Sequence, residues 1–451
     1  MIHRELQQSE GDSNRTSLRQ QWHAEHLNEK TRELLAEDEA NFIRQSLSTP
    51  CLNVLSRCDG AWIEDIEGRR YLDFHGNNVH QVGFGNPRVV QAITQQMQRL
   101  SFCTRRYTNI PAIRLAQKLA SLAPGDLNKV LLAPGGSAAI GMALKLARAA
   151  TGRFKTISLW DSFHGASLDA ISIGGEATFR NSAGPLLPGT EHAPPPDPLH
   201  CPFRCGRQCN LRCAEYIAYM MEKEGDVGAV IAETVRSTPY IPPVEYWQAI
   251  RTACDKHGAL LILDEIPHSL GRTGRMFTFE HYGIVPDMVV IGKGLGGGIF
   301  PLAALIAREG LDVAPERALG HYTHEKNPVA CAAALAAIDT IEDGILDHVR
   351  EIGDYAIEAL HGLKNRHSLV HDVRGIGLLM GMELANIAGI TASEAAERIM
   401  YGSLRKGLNF KVTMSTILTL TPALIITKEE MDLAIRVLDE ELSAVEAAAA
   451  S

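Results

Sequence analysis

The sequence lacks long hydrophobic runs and an excess of positive charge. No apolar stretch reaches the ~18 residues that a membrane-spanning helix needs. The N-terminal segment MIHRELQQSEGDSNRTSLRQ is polar and lacks the apolar centre of a secretory signal peptide. Asp and Glu (53) outnumber Lys and Arg (44), which gives a formal net charge of −9. We therefore expect a protein that binds neither membranes nor nucleic acid, although a local basic pocket is compatible with this charge.

Paired cysteine motifs are also missing. The nine cysteines are an odd number and include no CxxC pair, so without a secretory signal they predict free thiols and a cytoplasmic, reducing location. Four of them recur at intervals of four residues: Cys201, Cys205, Cys209 and Cys213. Four thiolates can bind zinc, but Pro202 and Gly206 interrupt the helix that would align them. Free thiols in a loop are therefore favoured over a structural metal.

What remains is an ordinary globular composition, with 45% hydrophobic and 22% charged residues. At roughly 100–200 residues per domain, 451 residues predict two or three domains. In the middle of the chain, helical patterns such as Ala138–Ala150 and Val244–His257 alternate with short apolar runs. These runs predict strands at Lys129–Ala133, Thr156–Leu159, Gly228–Glu233, Leu260–Asp264, Met288–Ile291 and Ala303–Ile306. Such alternation is typical of an α/β fold with a parallel sheet covered on both faces.

The segments on either side of this alternation differ from it. Residues 1–50 are polar and helical in pattern, and we expect them to form an N-terminal arm. Beyond Asn327-Pro328 the chain is mostly helical, returns to a strand-like Gly375–Leu384 and ends in a helix from Lys428. We therefore expect a large domain over residues 51–325 and a smaller α/β domain over residues 326–451, to which the N-terminal segment contributes.

Two strand ends carry residues suited to a flat, anionic ligand. Ligands of α/β proteins bind at the carboxyl ends of strands. Pro134-Gly135-Gly136-Ser137 follows a strand and opens a helix, which is typical of a phosphate-binding loop because the helix N-terminus offers free N–H groups. Ser162-Phe163-His164-Gly165 follows the next strand, and Phe163 can stack on a heterocycle. Each also has an ordinary reading, as a glycine-rich turn and as a core aromatic residue.

Two further strand ends carry charge. Asp264 ends an apolar strand, which suits a metal site, a partner for a protonated ring nitrogen, or a solvated strand end. Lys293 follows another strand and lies among five glycines. It is either a surface lysine in a loop or a Schiff-base former, since loss of water favours the neutral amine with its free lone pair. Thr323, shortly before a helix, is a candidate anion contact.

The succession of phosphate loop, aromatic residue, strand-end acid and lysine resembles that of the class III aminotransferases, which are fold-type I enzymes that use pyridoxal 5′-phosphate (PLP). The resemblance runs from about residue 50 to 435. Its most specific parts are Leu263-Asp264-Glu265-Ile266, Gly271-Arg272-Thr273-Gly274 and Lys293-Gly294-Leu295-Gly296-Gly297-Gly298. It implies a large domain around a mostly parallel sheet, with a smaller α/β domain.

The resemblance also implies roles for individual residues. Lys293 would form the Schiff base with the cofactor and move the substrate's proton, and Asp264 would pair with the pyridine nitrogen. Phe163 and Ile266 would enclose the ring. The remaining implied cofactor contacts are Gly136, Ser137, His164, Glu233 and Thr323. Thr323 would come from the neighbouring subunit, because the family builds its sites across a homodimer interface.

Three positions depart from the family pattern. Pro267 stands where a glutamine usually lies near the cofactor's phenolic oxygen, and Ala138 stands where an acid usually follows the phosphate-loop residue. Thr419 stands where many members place an arginine for the substrate carboxylate. A transaminase accepts two substrates in turn, and the keto acid favours a bidentate arginine. The missing arginine therefore favours a lyase, which needs no second substrate.

Within the family, three segments most resemble the (R)-1-hydroxy-2-aminoethylphosphonate ammonia-lyase group. They are residues 75–80 (HGNNVH), 104–107 (TRRY) and 322–326 (YTHEK). This resemblance implies elimination of ammonia from a small phosphonate-bearing amine. Two alternatives stay open: an ω-aminotransferase that moves an amino group from a small amine to a keto acid, and a non-catalytic or nucleotide-binding α/β protein.

A phosphonate dianion favours several cations, and three are available near the expected site: Arg105, Arg106 and Lys326. Neighbouring residues of a strand point to opposite faces, so at most one of the two arginines is expected to face the substrate. Departure of hydroxide needs an acid, for which His75, His80, His324 or Lys293 are the candidates. No metal is expected at this site.

Overall fold

A computed structural model describes residues 16–45, 51–181, 183–205 and 209–450. These residues divide into two compact units, unit 1 (residues 1–86 and 348–451) and unit 2 (residues 87–347). The expected arm over residues 1–50 lies partly outside the described residues. The division differs from the boundaries expected at 50/51 and 325/326, because a strand before residue 86 pairs with a strand near residue 408.

The described residues contain thirteen α-helices and fifteen strands. The helices are α1 (Leu18–His26), α2 (Glu29–Asn41), α3 (Pro87–Arg99), α4 (Ile110–Leu122), α5 (Gly136–Thr151), α6 (Leu168–Ile173), α7 (Ala177–Arg180), α8 (Arg212–Glu224), α9 (Val244–His257), α10 (Pro328–Thr340), α11 (Leu346–Arg366), α12 (Ala392–Arg405) and α13 (Lys428–Ala450). The strands are β1 (Leu55–Asp59), β2 (Trp62–Asp65), β3 (Arg70–Asp73), β4 (Leu127–Ala133), β5 (Lys155–Leu159), β6 (Thr190–Ala193), β7 (Val227–Glu233), β8 (Leu260–Asp264), β9 (Met288–Ile291), β10 (Ala303–Arg308), β11 (Val370–Ile376), β12 (Leu379–Leu384), β13 (Leu408–Asn409), β14 (Lys411–Thr413) and β15 (Ile417–Leu420). No helix in this part of the chain has the length and apolar character needed to cross a membrane.

Unit 2 is built on a seven-stranded sheet with the order β4-β10-β9-β8-β7-β5-β6. Strands β9, β8, β7, β5 and β6 are parallel, which confirms the expected α/β architecture. Strand β10 is the exception and runs antiparallel to β4 and β9. The connection from β9 to β10, residues 292–302, contains no α-helix to carry the chain back for a parallel return.

The core of unit 2 forms where α5 packs against β4, β7, β8, β9 and β10. Met142 and Ala143 of this helix are buried in one cluster with Ile231, Ile262 and Val290 of the strands. Strands β7 and β9 are buried along their whole length because both of their faces are covered. This packing fixes the position of the N-terminal end of α5, where the predicted phosphate-binding loop lies.

Unit 1 contains two smaller sheets. The first has the order β1-β2-β3-β13, with β13 parallel to β3, and the second has the antiparallel order β11-β12-β15-β14. The strand expected at Gly375–Leu384 is in fact the end of one strand and the whole of the next, joined by a turn at Gly377, where φ is +56°. Glycine adopts this left-handed conformation without a steric penalty.

Candidate active site

Three neighbouring parallel strands bring the candidate acids and the lysine to one edge of the sheet in unit 2. Glu233, at the end of β7, lies in register with Asp264 at the end of β8. Asp264 in turn pairs with Val290 of β9, and Lys293 follows that strand directly. The sequence placed these residues at strand ends, and the register places the strand ends side by side.

Asp264 and His164 form a buried pair. His164 Nδ1 lies 2.8 Å from Asp264 Oδ2, and both side chains are almost inaccessible to solvent. Asp264 Oδ1 accepts the backbone N–H of Ile266 at 3.1 Å. His164 Nε2 is buried and has no hydrogen-bond partner. The pair thus presents a carboxylate whose orientation is fixed by a histidine, together with an orphaned polar atom of the kind that a ligand satisfies.

The glycine-rich loop at the start of α5 encloses a space that a side chain on Gly136 or Gly165 would occupy. A Cβ on Gly136 would lie 2.8 Å from Ile266 Cδ1. A Cβ on Gly165, where φ is +126°, would lie 2.1 Å from Ser137 Oγ. Helix α5 begins at Gly136 without a side-chain cap, so N–H groups of its first turn are available to an anion. This geometry suits a phosphate group.

Of the two side chains expected to enclose a ring, Ile266 lies against this loop, and Phe163 lies next to the end of β7. Ile266 approaches both Gly136 and Gly292, since a Cβ on Gly292 would lie 3.3 Å from its Cγ2. Phe163 packs against Phe179, with 4.5 Å between ring centroids. The backbone N–H of Phe163 donates to Glu233 Oε2 at 3.4 Å, which ties the aromatic residue to the end of β7.

Lys293 is the first residue of a short 3₁₀-helix, Lys293–Gly296, and its side chain is half-buried. Its φ of +48° is uncommon for a residue with a side chain, and such backbone strain is concentrated at functional sites. Gly292 precedes it and, as described above, leaves room for Ile266. The lysine is therefore held in one unusual backbone conformation and does not lie in an extended surface loop.

Glu233 belongs to an ion-pair network that the sequence did not reveal. Arg236, which is 1% exposed, donates from Nη1 to both carboxylate oxygens of Glu233 at 2.7 Å. Its Nη2 lies 3.3 Å from Glu176 Oε2. Buried arginine is stable only when paired, and here two glutamates pair it. The network fixes the carboxylate of Glu233, which accepts the backbone N–H of Phe163.

His268 is a second group that sequence reasoning missed. Thr278 Oγ1 donates its only proton to the carbonyl oxygen of His268 at 2.9 Å, so the 3.1 Å contact with His268 Nδ1 requires the proton on Nδ1. Nε2 is consequently an acceptor, and it is buried without a partner. Burial and the positive charges of Lys293 and Arg236 lower the pKa of His268 to about 3. In the sequence, the signal for His268 is its position four residues after Asp264, the acid at the end of β8.

The cations expected to bind substrate lie on turns. Arg105 and Arg106 are exposed in a turn, so the strand geometry assumed for them is wrong. Arg105 Nη2 lies 3.6 Å from Glu325 Oε2. Asn109 Nδ2 donates a hydrogen bond to the backbone carbonyl oxygen of Lys326 at 2.9 Å. Thr323 is exposed on the same turn as Lys326.

Arg105 and Lys326 line a groove of about 620 Å³. Its other walls are mostly apolar side chains of α4, β4, α5 and β10. None of the described lining residues is one of the candidate cofactor contacts. Within one chain, the cofactor candidates other than Thr323 therefore lie apart from the groove, whereas Arg105 and Lys326 line it.

Two of the histidines considered as acids, both in unit 1, have structural contacts. The surroundings of His75, above all burial and then the charge of Lys411, lower its pKa to about 4, so it is neutral near pH 7. His80 Nε2 lies 3.2 Å from the carbonyl oxygen of Asp73. Thr419, also in unit 1, is buried, and its hydroxyl lies 2.7 Å from that of Thr413.

Known proteins match this chain along most of its length. The sequence profile of the family described as aminotransferase class-III matches residues 44–442. An (R)-1-hydroxy-2-aminoethylphosphonate ammonia-lyase of Vibrio splendidus (strain 12B01) is 45% identical over 97% of this chain and 95% of the relative. A leucine/methionine racemase of Thermococcus litoralis is 35% identical, over 87% of this chain and 91% of its own length.

A solved structure agrees in fold as well. An amine transaminase from an uncultivated Pseudomonas species, solved in its PLP-bound form, superposes with a TM-score of 0.82. It is 27% identical, and the match covers 90% of this chain and 98% of that one. These similarities agree with the glycine-rich loop, the buried Asp264–His164 pair and the strained lysine at one sheet edge. Together they identify one family. The chain belongs to the class-III aminotransferases and is a PLP-dependent enzyme of that family.

Proposed function

We propose that this enzyme is a lyase that eliminates ammonia from (R)-1-hydroxy-2-aminoethylphosphonate and releases phosphonoacetaldehyde. The observation that carries the proposal is the 45% identity, over nearly the whole chain, to a lyase of that name. Thr419, buried and hydrogen-bonded where many relatives place an arginine, supports it further, because a keto acid would lack its usual partner.

The residues at the sheet edge fit PLP. The phosphate would lie against Ser137 and the free N–H groups at the start of α5, where Gly136 and Gly165 leave the space. Asp264 would accept the ring N–H, and Phe163 and Ile266 would lie against the two faces of the ring. When bound, the cofactor supplies an electron sink that acidifies the C–H bond beside the substrate's amine.

The chain's own residues then move protons. Lys293 Nζ would take the proton from the carbon that carries the amine. The hydroxyl on the neighbouring carbon leaves with a proton as water, and the protonated Lys293 is the proposed donor of that proton. Addition of water to the released enamine and loss of ammonia give the aldehyde, so the water lost is regained. His164 positions the carboxylate of Asp264, because its Nδ1–H donates to Oδ2.

We further infer that His268 Nε2 contributes to this site as a proton acceptor. Thr278 fixes a proton on its Nδ1, and burial together with the charge of Lys293 lowers the pKa of its imidazole to about 3, so the ring is neutral near pH 7. A neutral acceptor near an ammonium group stabilises that group without adding a charge. The His268 side chain would therefore help to hold the proton that Lys293 takes from the substrate.

We propose a homodimer in which Arg105, Arg106, Lys326 and Thr323 of one subunit complete the site of the other. The groove described above has apolar walls formed by α4, β4, α5 and β10, and exposed apolar side chains such as Tyr107 and Ile113 lie beside it. Contiguous exposed apolar surface of this kind marks an interface. A second copy of this chain, with its exposed phosphonate-binding cations, is the occupant we propose. The nine cysteines, all free, support a reducing, cytoplasmic location.

The decisive experiment supplies the PLP-loaded enzyme with the hydroxylated amine and no keto acid. A lyase releases ammonia and phosphonoacetaldehyde in equal amounts. An ω-aminotransferase releases no ammonia and turns over only after pyruvate is added, which would contradict the proposal. A protein that does not bind PLP shows no visible absorption band that borohydride bleaches.

Lys293→Ala tests the central residue in the same assay. We expect loss of the borohydride-sensitive band and a fall in the rate of ammonia release of at least about 10⁴-fold, since the proton-transfer group is removed. Lys145→Ala, on the exposed surface of α5, is the matched control and leaves both readouts unchanged. Retention of the band and the rate in Lys293→Ala would refute the assignment.

A further inference from the structure

The four-cysteine segment before α8 brings two thiols into contact. Cys201 Sγ lies 3.4 Å from Cys205 Sγ. A turn makes this contact, since the backbone N–H of Arg204 donates to the carbonyl oxygen of Cys201 at 2.9 Å and folds the chain back. Both cysteines are partly exposed. The described residues hold no group of three or more His, Cys, Asp or Glu arranged for a metal ion, so the contact needs another explanation.

Cys205 lies in surroundings that favour its thiolate. Hydrogen bonds from the backbone N–H groups of Asn210 and Arg212, another from Cys201, and the charge of Arg212 lower the pKa of Cys205. Cys205 Sγ also lies 2.8 Å from Asn210 Oδ1, a contact in which the thiol is the donor. Arg212 is also the first residue of α8, and the partial positive charge of a helix N-terminus favours a thiolate.

Five other cysteines lie in surroundings of the opposite kind. Burial raises the pKa of Cys213, Cys254 and Cys331 to about 12. Burial and nearby carboxylates also raise the pKa of Cys51 and Cys58, although Cys58 is exposed. The thiolate is the nucleophile in thiol–disulfide exchange, so reactivity concentrates at Cys205.

We propose that Cys201 and Cys205 form a redox-active dithiol that is oxidised to an intramolecular disulfide by small-molecule disulfides. The Cys205 thiolate attacks one sulfur of a disulfide such as oxidised glutathione, and one glutathione thiolate leaves. Cys201 then loses its proton and attacks the sulfur of Cys205, which forms the new S–S bond and expels the second glutathione. Two protein thiols lose two electrons and two protons, and the glutathione disulfide is reduced to two thiols.

The test exposes the folded holoenzyme to oxidised glutathione at pH 7, followed by acid quenching, alkylation and peptide mass spectrometry. Arg204 lies between the two cysteines, so trypsin separates them and only a disulfide keeps their peptides linked. We expect this linkage to form about tenfold faster than any modification of Cys58, which is more exposed but disfavours its thiolate.

Variants separate the two roles. Cys201→Ser should accumulate a glutathione adduct at Cys205, because the resolving thiol is missing. Cys205→Ser should leave Cys201 unmodified over the same time, and Cys58→Ser, as the matched control, should form the linkage at the wild-type rate. Adducts at Cys58 or Cys103 that precede the linkage, or separate adducts on Cys201 and Cys205 without linkage, would overturn the proposal. The readout does not depend on catalysis, so it is independent of the proposed lyase activity.

Discussion

Two buried histidines of unit 2 show how partners, rather than residue type, decide where a proton lies. His164 donates from Nδ1 to a carboxylate, whereas His268 donates from Nδ1 to a threonine whose own proton is already committed. Burial and nearby positive charge lower the pKa of His268 to about 3, so its Nε2 is an acceptor, and the Nε2 atoms of both histidines are buried without a hydrogen-bond partner in this structure. Buried polar atoms are rarely left in this way, which is the structural basis for proposing that both histidines belong to the site.

Gly165→Ala tests the phosphate cradle at this scale. The added Cβ would approach Ser137 Oγ to 2.1 Å, and the backbone at φ +126° disfavours any side chain. We expect PLP affinity to fall at least ~10-fold, about 1.4 kcal/mol, as measured by titrating the apoenzyme with the cofactor. Gly152→Ala is the control, because φ there is +67° but no atom lies within 4 Å. Equal affinities in the two variants would contradict the cradle.

Glu265 gives a prediction about pH and stability. Burial raises its pKa to about 7, despite hydrogen bonds from Thr234, Thr278 and Phe279 that oppose the shift. A carboxyl group with a raised pKa in the folded state stabilises most below its unfolded pKa of about 4.5 and loses this contribution as the pH rises through 7. We expect its contribution to the free energy of unfolding to fall by on the order of 1–3 kcal/mol between pH 5 and pH 8.

Glu265→Gln removes this titration. Urea unfolding of the variant at the two pH values should show a smaller fall in stability than that of the wild type, even though the amide loses one hydrogen bond and lowers stability at both. Glu245→Gln, on the exposed surface of α9, is the control and should retain the wild-type pH dependence. A variant that falls as steeply as the wild type would show that Glu265 does not titrate in this range.

At the scale of elements, a short connection sets the direction of the strand that follows it, and an uncapped helix start offers N–H groups to a ligand. Residues 292–302 turn the chain directly from β9 into β10, so β10 is antiparallel, and the same connection begins with Lys293. Helix α5 starts at a glycine with free N–H groups because no side chain caps it. The strained backbone of Lys293 thus belongs to the start of the connection from β9 to β10. The free N–H groups belong to the start of α5.

Two glycines of α11 provide a prediction at this scale. A Cβ on Gly353 would lie 2.7 Å from the carbonyl oxygen of Gly377, whereas the nearest atom to a Cβ on Gly362 would be Arg366 Nη1 at 3.6 Å. Gly362→Ala should stabilise the protein by about 0.5–1 kcal/mol through helix propensity. Gly353→Ala should destabilise it by about 1–3 kcal/mol, because a backbone atom must move. Thermal unfolding of the two variants measures the difference, and equal shifts would contradict the close approach.

At the scale of the whole molecule, the homodimer is proposed from the exposed groove on the surface and not from the packing of the core. The groove is apolar, yet the part of the chain that the structure describes leaves it accessible. The cations Arg105 and Lys326 line it instead of meeting the cofactor contacts of their own chain. An enzyme that builds its site across two subunits would explain both facts.

Ile113→Glu tests the assembly. Ile113 lines the groove and is 43% exposed, so a charge there would be buried without a partner in a dimer and leave the monomer intact. We expect sedimentation velocity to show at least ~10-fold weaker dimerisation, with a parallel loss of activity at low concentration. Val244→Glu, at an equally exposed position on α9, should behave as wild type. A dimer that is unaffected by Ile113→Glu would exclude this surface.

The sequence by itself determined which candidate groups lie at the ends of the strands. Apolar runs such as Met288–Ile291 are local signals, and the residues at their ends, Asp264 and Lys293, can be read from the chain without knowing its path. Short elements are harder to predict, because four to seven residues carry little pattern. The apolar runs do not indicate the edge strand β6, and they indicate one strand where the structure has the hairpin of β11 and β12.

Only the tertiary structure decided which distant residues meet. His164 reaches Asp264, Gly165 makes room for Ser137, and Thr278 fixes the proton of His268. Each contact depends on the order and register of strands, which set distances between residues far apart in the chain. No local pattern encodes these distances, since they are fixed by packing of the complete core. The candidate acid, lysine and glycine-rich loop are thus legible in the sequence, whereas the groups that surround them are set by the fold.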